Sequence, residues 1–162
     1  MSELSVDCGG KTVDKLSFNV NLLILNMATA GYSGTPLIKK LGLSPGLKVR
    51  LIHAPGGYFD WLGTDISAQV CSSRDTPDWV HLFAGSREVF EKEMAALKAL
   101  KVKNSGIVIW VSWYKKSSGI PTDLTEDIIR DYALRNGLVD IKVCAVSGEW
   151  SGLKLVVPVK DR

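Results

Sequence analysis

Between Tyr114 and Asp127 the chain reads YKKSSGIPTDLTED, and these are the residues best placed to do chemistry. Lys115 and Lys116 bring positive charge. Ser118 and Thr122 bring hydroxyls, and Gly119 lets the backbone expose its amides. A helix starting near Leu124 adds the positive end of its dipole, so the set suits a phosphate, sulfate or carboxylate. Three acids, Asp123, Glu126 and Asp127, stand at the same helix start and compete with any outside anion. A second candidate is HAPGG at 53–57, where Pro55, Gly56 and Gly57 form a turn after an apolar run. Turns of that kind let backbone approach a dinucleotide or adenosyl cofactor, but the G-x-G-x-x-G spacing is missing. The acid expected on a ribose is missing too, since Asp75 comes late and behind Arg74.

His53 and His81 are the two histidines, both inside strand candidates, and on neighbouring strands they would approach each other. A catalytic pair also needs an orienting acid, and spacing selects neither Asp60 nor Asp78, so each strand histidine reads first as a hydrogen-bonded structural residue. Cys71 has Ser72, Ser73 and Arg74 beside it but no nucleophile signature, and no G-x-S-x-G, Walker or zinc-protease motif occurs. Cys8, Cys71 and Cys144 are far apart and outside any CxxC, so neither a zinc site nor a disulfide framework is encoded. The expectation is therefore no metal, no cofactor and no assigned catalytic residue.

The elements that must position these groups alternate. Thr35-Pro36 opens a short helix, 48–54 is a strand, and 58–62 a helical turn. A weak strand at 66–71 precedes a strand at 79–84, and a helix capped by Ser86 runs to about Lys101. A buried strand at 107–112 leads through the lysine loop to a helix in which Asp123 and Glu126 resemble a capping box and Asn136-Gly137 a stop. Strands at 141–146 and 153–159 close the chain, joined by a link short enough to favour an antiparallel hairpin. Trp110 and Trp113 lie three apart on an extended run and so face opposite sides, while Trp113, Tyr114 and Trp150 could line a cleft near the lysines. The pattern predicts a three-layer Rossmann-like α/β fold: a mostly parallel sheet, helices on both faces, and a C-terminal antiparallel hairpin.

The 162 residues, 46% hydrophobic and 23% charged, suit one globular domain with a proper core. A net charge of +3 with interleaved signs gives no footprint for nucleic acid. No stretch reaches the roughly 18 apolar residues of a membrane helix. The run at 18–30 imitates a signal peptide, but two asparagines interrupt it and acids precede it, so the expected location is the cytoplasm. Residues 1–26 lack a clear period and read as an extension of doubtful order, either upstream of a natural start at Met27 or a poorly ordered terminus, with an edge strand at 20–25 as the lesser alternative. Residues 27–162 read as a single α/β domain.

From about Met27 to Arg162 the chain resembles a bacterial domain-of-unknown-function family of small Rossmann-like proteins. The resemblance rests on AGYSGTPLIKKLGLSPG, the HAPGGY turn, KKSSGIPTDLTED and the WSGLK ending. It implies family-marking positions at Lys115, Lys116, Ser118, Gly119, Thr122, Asp123, Glu126, Trp150 and Lys154, and it implies no substrate. The resulting expectation is a non-enzymatic binding or regulatory module. Lys115, Lys116, Ser118, Gly119, Thr122, Trp150 and Lys154 would engage an anionic small ligand or a protein partner, in a monomer or homodimer. The alternative is a minimal S-adenosylmethionine-dependent methyltransferase-like enzyme with Pro55, Gly56 and Gly57 at the cofactor.

Overall fold

Three runs dense in branched and aromatic side chains form the parallel part of the sheet: β1 (Val49–Ile52), β2 (Trp79–Phe83) and β3 (Val108–Tyr114). This is a computed structural model that describes residues 34–162; within it Pro36–Arg162 make one unit with its own core. The expected extension at 1–26, the alternative strand at 20–25, and Cys8 lie outside the described residues. The helices are α1 (Leu37–Lys40), α2 (Tyr58–Leu62), α3 (Arg87–Leu97), α4 (Leu100–Lys103) and α5 (Glu126–Arg135). Strands β4 (Val139–Ala145) and β5 (Trp150–Val156) complete the sheet.

The sheet order, β1-β2-β3-β5-β4, corrects the fold expected from sequence. The sheet is mixed, not mostly parallel: β1/β2 and β2/β3 are parallel, whereas β3/β5 and β4/β5 are antiparallel. The cause is the short link between β4 and β5, in which Val146 and Ser147 amides both point to the Trp150 carbonyl. That turn forces β5 back beside β4, and β5 then inserts between β4 and β3. The layers differ as well. Crossovers β2–α3–β3 and β3–α5–β4 advance in the same direction along the sheet, and crossovers of one hand then lie on one face. The two long helices among the described residues, α3 and α5, share a face, and the other face carries only the short α1 and α2, so the layers are not those of a doubly wound Rossmann-like sandwich.

The period of two along the strands divides the core in two. Val80, Leu82, Ile109, Val111, Leu153 and Leu155 meet α3, α4 and α5 on an aliphatic face. Each such side chain, fully buried, contributes roughly 1.5–3 kcal/mol. The opposite face carries Trp79, His81, Phe83, Trp110 and Trp150 and is covered by α1, α2 and their loops. Trp110 and Trp113 do lie on opposite faces. Both Trp79 Nε1 (3.2 Å) and Trp110 Nε1 (2.9 Å) donate to the Leu41 carbonyl, which fastens the end of α1 to the sheet.

Several local boundaries shift for identifiable reasons. The weak strand at 66–71 is a 3-10 turn at Ser67–Gln69 with one bridge from Val70 to Val49. Ser86 caps α3 as expected, accepting from the Val89 amide at 3.2 Å. At α5 the cap is Thr125, which accepts from Ile128 N, and Asp123 instead accepts from Arg87 N at 2.8 Å at the start of α3.

Candidate functional site

A cleft of about 430 Å³ opens at the carboxyl ends of the three parallel strands. Its walls come from four separate segments: Trp61 from α2, Phe83 from β2, Tyr114 from β3 and Trp150 from the start of β5. Pairing of Tyr114 with Trp150 in the β3/β5 ladder brings their rings to 4.1 Å at 30°. Phe83 meets Trp150 edge-on at 5.1 Å. Gly85 lies where any Cβ would be 3.4 Å from Tyr114 Cε2, so its lack of a side chain keeps the wall close. Of the aromatic residues that could have lined a cleft, Tyr114 and Trp150 do so, while Trp113 is buried on the other face.

The rim is polar. His53 follows β1 with φ +58, an uncommon left-handed conformation for a residue with a side chain. Its Nε2 is 2.8 Å from Glu93 Oε2 on α3. Glu149, in the β4–β5 turn, also lines the cleft, and its carboxylate has no ion-pair partner among the described residues. Among the described residues no lysine or arginine lines the cleft.

Beneath the cleft lies a buried polar chain in which His81 is the hydrogen-bonded structural residue that a lone strand histidine suggests, with partners, Tyr58 and Ser112, that the sequence does not single out. Tyr58 OH is 2.7 Å from His81 Nδ1, and His81 Nε2 is 2.7 Å from Ser112 Oγ. Phe83, part of the cleft wall, stacks on the His81 ring at 4.2 Å and 26°. Burial pushes the His81 pKa down to about 3 and raises that of Tyr58, so both are neutral near pH 7. A neutral imidazole donates from one nitrogen and accepts at the other, so it satisfies both hydroxyls in either tautomer. The two histidines do not meet: His81 is internal and His53 is at the rim. The signal in the sequence is a lone polar residue inside the otherwise apolar run WVHLF, since a buried imidazole requires partners.

The lysine loop is arranged differently from the cleft. Lys116–Ser118 form a 3-10 turn and Gly119 takes a left-handed φ of +74. Ser118 Oγ donates to the Lys115 carbonyl (2.7 Å) and accepts from Ile120 N, while Thr122 Oγ1 donates to the Gly85 carbonyl (2.9 Å). The loop thus spends its hydroxyls on its own turn and on docking to the end of β2. Burial, and then Lys40, hold the Lys115 pKa below the ordinary lysine value. Lys154 pairs with Trp110 and Lys142 in the sheet, four residues along β5 from Trp150 and thus about 13 Å away. The structure therefore brings Trp150 into the cleft and leaves Lys115, Lys116, Ser118, Gly119, Thr122 and Lys154 outside its lining.

In the HAPGG turn Pro55 lines the cleft, and Gly57 precedes α2. A Cβ on Gly57 would lie 3.4 Å from Trp61 Nε1, so that glycine accommodates the indole. Asp75 accepts from Ser72 N and Ser72 Oγ at 3.0 Å and so closes a local turn. No group of three or more metal-ligating side chains converges among the described residues. Nor is any helix there long and apolar enough to cross a membrane.

No protein-family model matches the chain, and no curated protein matches it. The resemblance stated above rests on its quoted residues alone.

Proposed function

We propose that the protein is a small-ligand binding module whose seat is the aromatic cleft, not an enzyme with an assembled catalytic set. One observation carries this reading: about 430 Å³ of space at the carboxyl ends of β1–β3, walled by Trp61, Phe83, Tyr114 and Trp150. Ligand clefts have about that size, are mainly apolar with a few polar groups, and favour that end of an open α/β sheet. Aromatic walls held by neighbouring rings are rigid, which lowers the cost of ordering them around a guest. The lysine loop serves as the brace of one wall, through Thr122 and Gly85. That role replaces direct anion contact in this reading. An adenosyl cofactor has less support, because Gly57 is occupied by Trp61 and Asp75 by Ser72. The same reading keeps the protein in the cytoplasm, in accord with unpaired Cys71 and Cys144.

The test uses benzamide, benzoate and benzamidine, three probes of nearly equal size. At least one should shift the indole N–H resonances of Trp61 or Trp150 at millimolar concentration, and Trp61→Ala should weaken that response at least fivefold. If none of the three perturbs either indole at tens of millimolar, the cleft is not a binding site.

A further inference from the structure

Resting on that reading, we infer that the ligand is a small organic cation: an ammonium, amidinium or guanidinium group carried on an apolar body. The chain as a whole has 20 lysines and arginines against 17 acids, yet among the described residues no basic side chain other than His53 lines the cleft. His53 is engaged by Glu93 at 2.8 Å, so that pair adds no net positive charge when the imidazole is protonated and leaves a carboxylate when it is not. Glu149 then remains as a lining carboxylate without an ion-pair partner among the described residues. An anion entering here would meet the Glu149 carboxylate and aromatic walls that offer it no positive charge. A cation would meet both favourably.

The aromatic walls favour a cation as well. Trp and Tyr attract a cation through the negative faces of their rings, by about 0.5–1 kcal/mol at exposed sites and more when water is excluded. Trp61 and Tyr114 are only partly buried, so some of each ring is open to the cleft. An open aromatic cleft with a carboxylate at its rim selects charge by Coulomb attraction and offers too few oxygens to hold a strongly hydrated inorganic cation. The lysines farther down the same face reinforce the contrast. Lys142 Nζ donates to the Lys40 carbonyl at 2.7 Å, and Lys154 Nζ lies near Gly42, so they reach the α1 turn and not the cleft.

The same isosteric trio tests this at low ionic strength, with full-length protein and indole resonances as the readout. Benzamidine should bind about tenfold tighter than benzamide, benzoate should bind weakest, and Glu149→Gln should reduce the benzamidine advantage at least threefold. Glu149 is exposed in a turn, so the substitution leaves the core intact. Equal binding of benzamidine and benzamide, tighter binding of benzoate, or an advantage unchanged by Glu149→Gln would each overturn the cation assignment while leaving the cleft reading in place. Silence from all three probes would remove both.

Discussion

The two faces of the sheet solve different problems with the same five strands. One face is aliphatic and roofed by α3, α4 and α5, with Val, Leu and Ile packed without polar partners. The other is aromatic, threaded by Tyr58, His81 and Ser112, and covered by short helices and loops. Aliphatic packing stabilises roughly in proportion to the area it buries and needs no particular orientation. Rings and hydrogen-bonded imidazoles are directional, and they set the shape of a surface as well as burying it. The first face supplies stability and the second supplies a fixed cleft.

Four substitutions or conditions separate these roles, beginning with the largest effect. Phe90→Ala, on the aliphatic face and fully buried, should cost about 3–5 kcal/mol in urea unfolding. Probe binding to the variant should be unchanged wherever it remains folded; a lost cleft would show that the faces are coupled. Gly152→Ala attacks the aromatic face, because a Cβ there would lie 3.0 Å from Val146, 3.3 Å from Trp110 and 3.4 Å from Ser112 Oγ. It should cost about 1–3 kcal/mol and disturb the Ser112–His81 bond, seen as a changed imidazole resonance.

The third concerns pH. Native His81 stays neutral while the unfolded imidazole takes up a proton below its ordinary pKa of 6.5. The unfolded state then binds more protons, so stability is full above pH 6.5 and falls as pH drops from there towards 3. The slope approaches about 1.4 kcal/mol per pH unit. His81→Leu should flatten the profile between pH 6.5 and 5, whatever it does to the baseline, and an unchanged slope would place the titration elsewhere. The smallest expected stability effect is Trp61→Ala, about 1 kcal/mol or less for a partly exposed side chain. Its probe affinity should nevertheless drop at least fivefold; a larger stability loss without an affinity change would make Trp61 a packing residue.

How much of this was legible depended on how local the cause was. The Ser86 cap, the buried runs at β2 and β3, and the opposed Trp110 and Trp113 follow from neighbours a few residues apart, and all are found. The place of β5 between β3 and β4 is a tertiary choice, and no local period in either strand encodes it. Asp123 shows the same limit on a small scale: its spacing to Glu126 suggested its own helix, but the amide it serves, on Arg87, is 36 positions away. The cleft was half visible. Tyr114 and Trp150 were named, whereas Trp61 and Phe83 join them through the sheet order and the fold of the α2 loop.

The shared carbonyl of Leu41 has a consequence for isotope exchange. Two indole hydrogens end on one oxygen, and both lie under the same short segment. Neither can reach deuterated solvent unless that segment lifts or the sheet itself opens. Trp79 and Trp110 therefore share a clock: their indole hydrogens should disappear at matching rates, however different the strands that carry them.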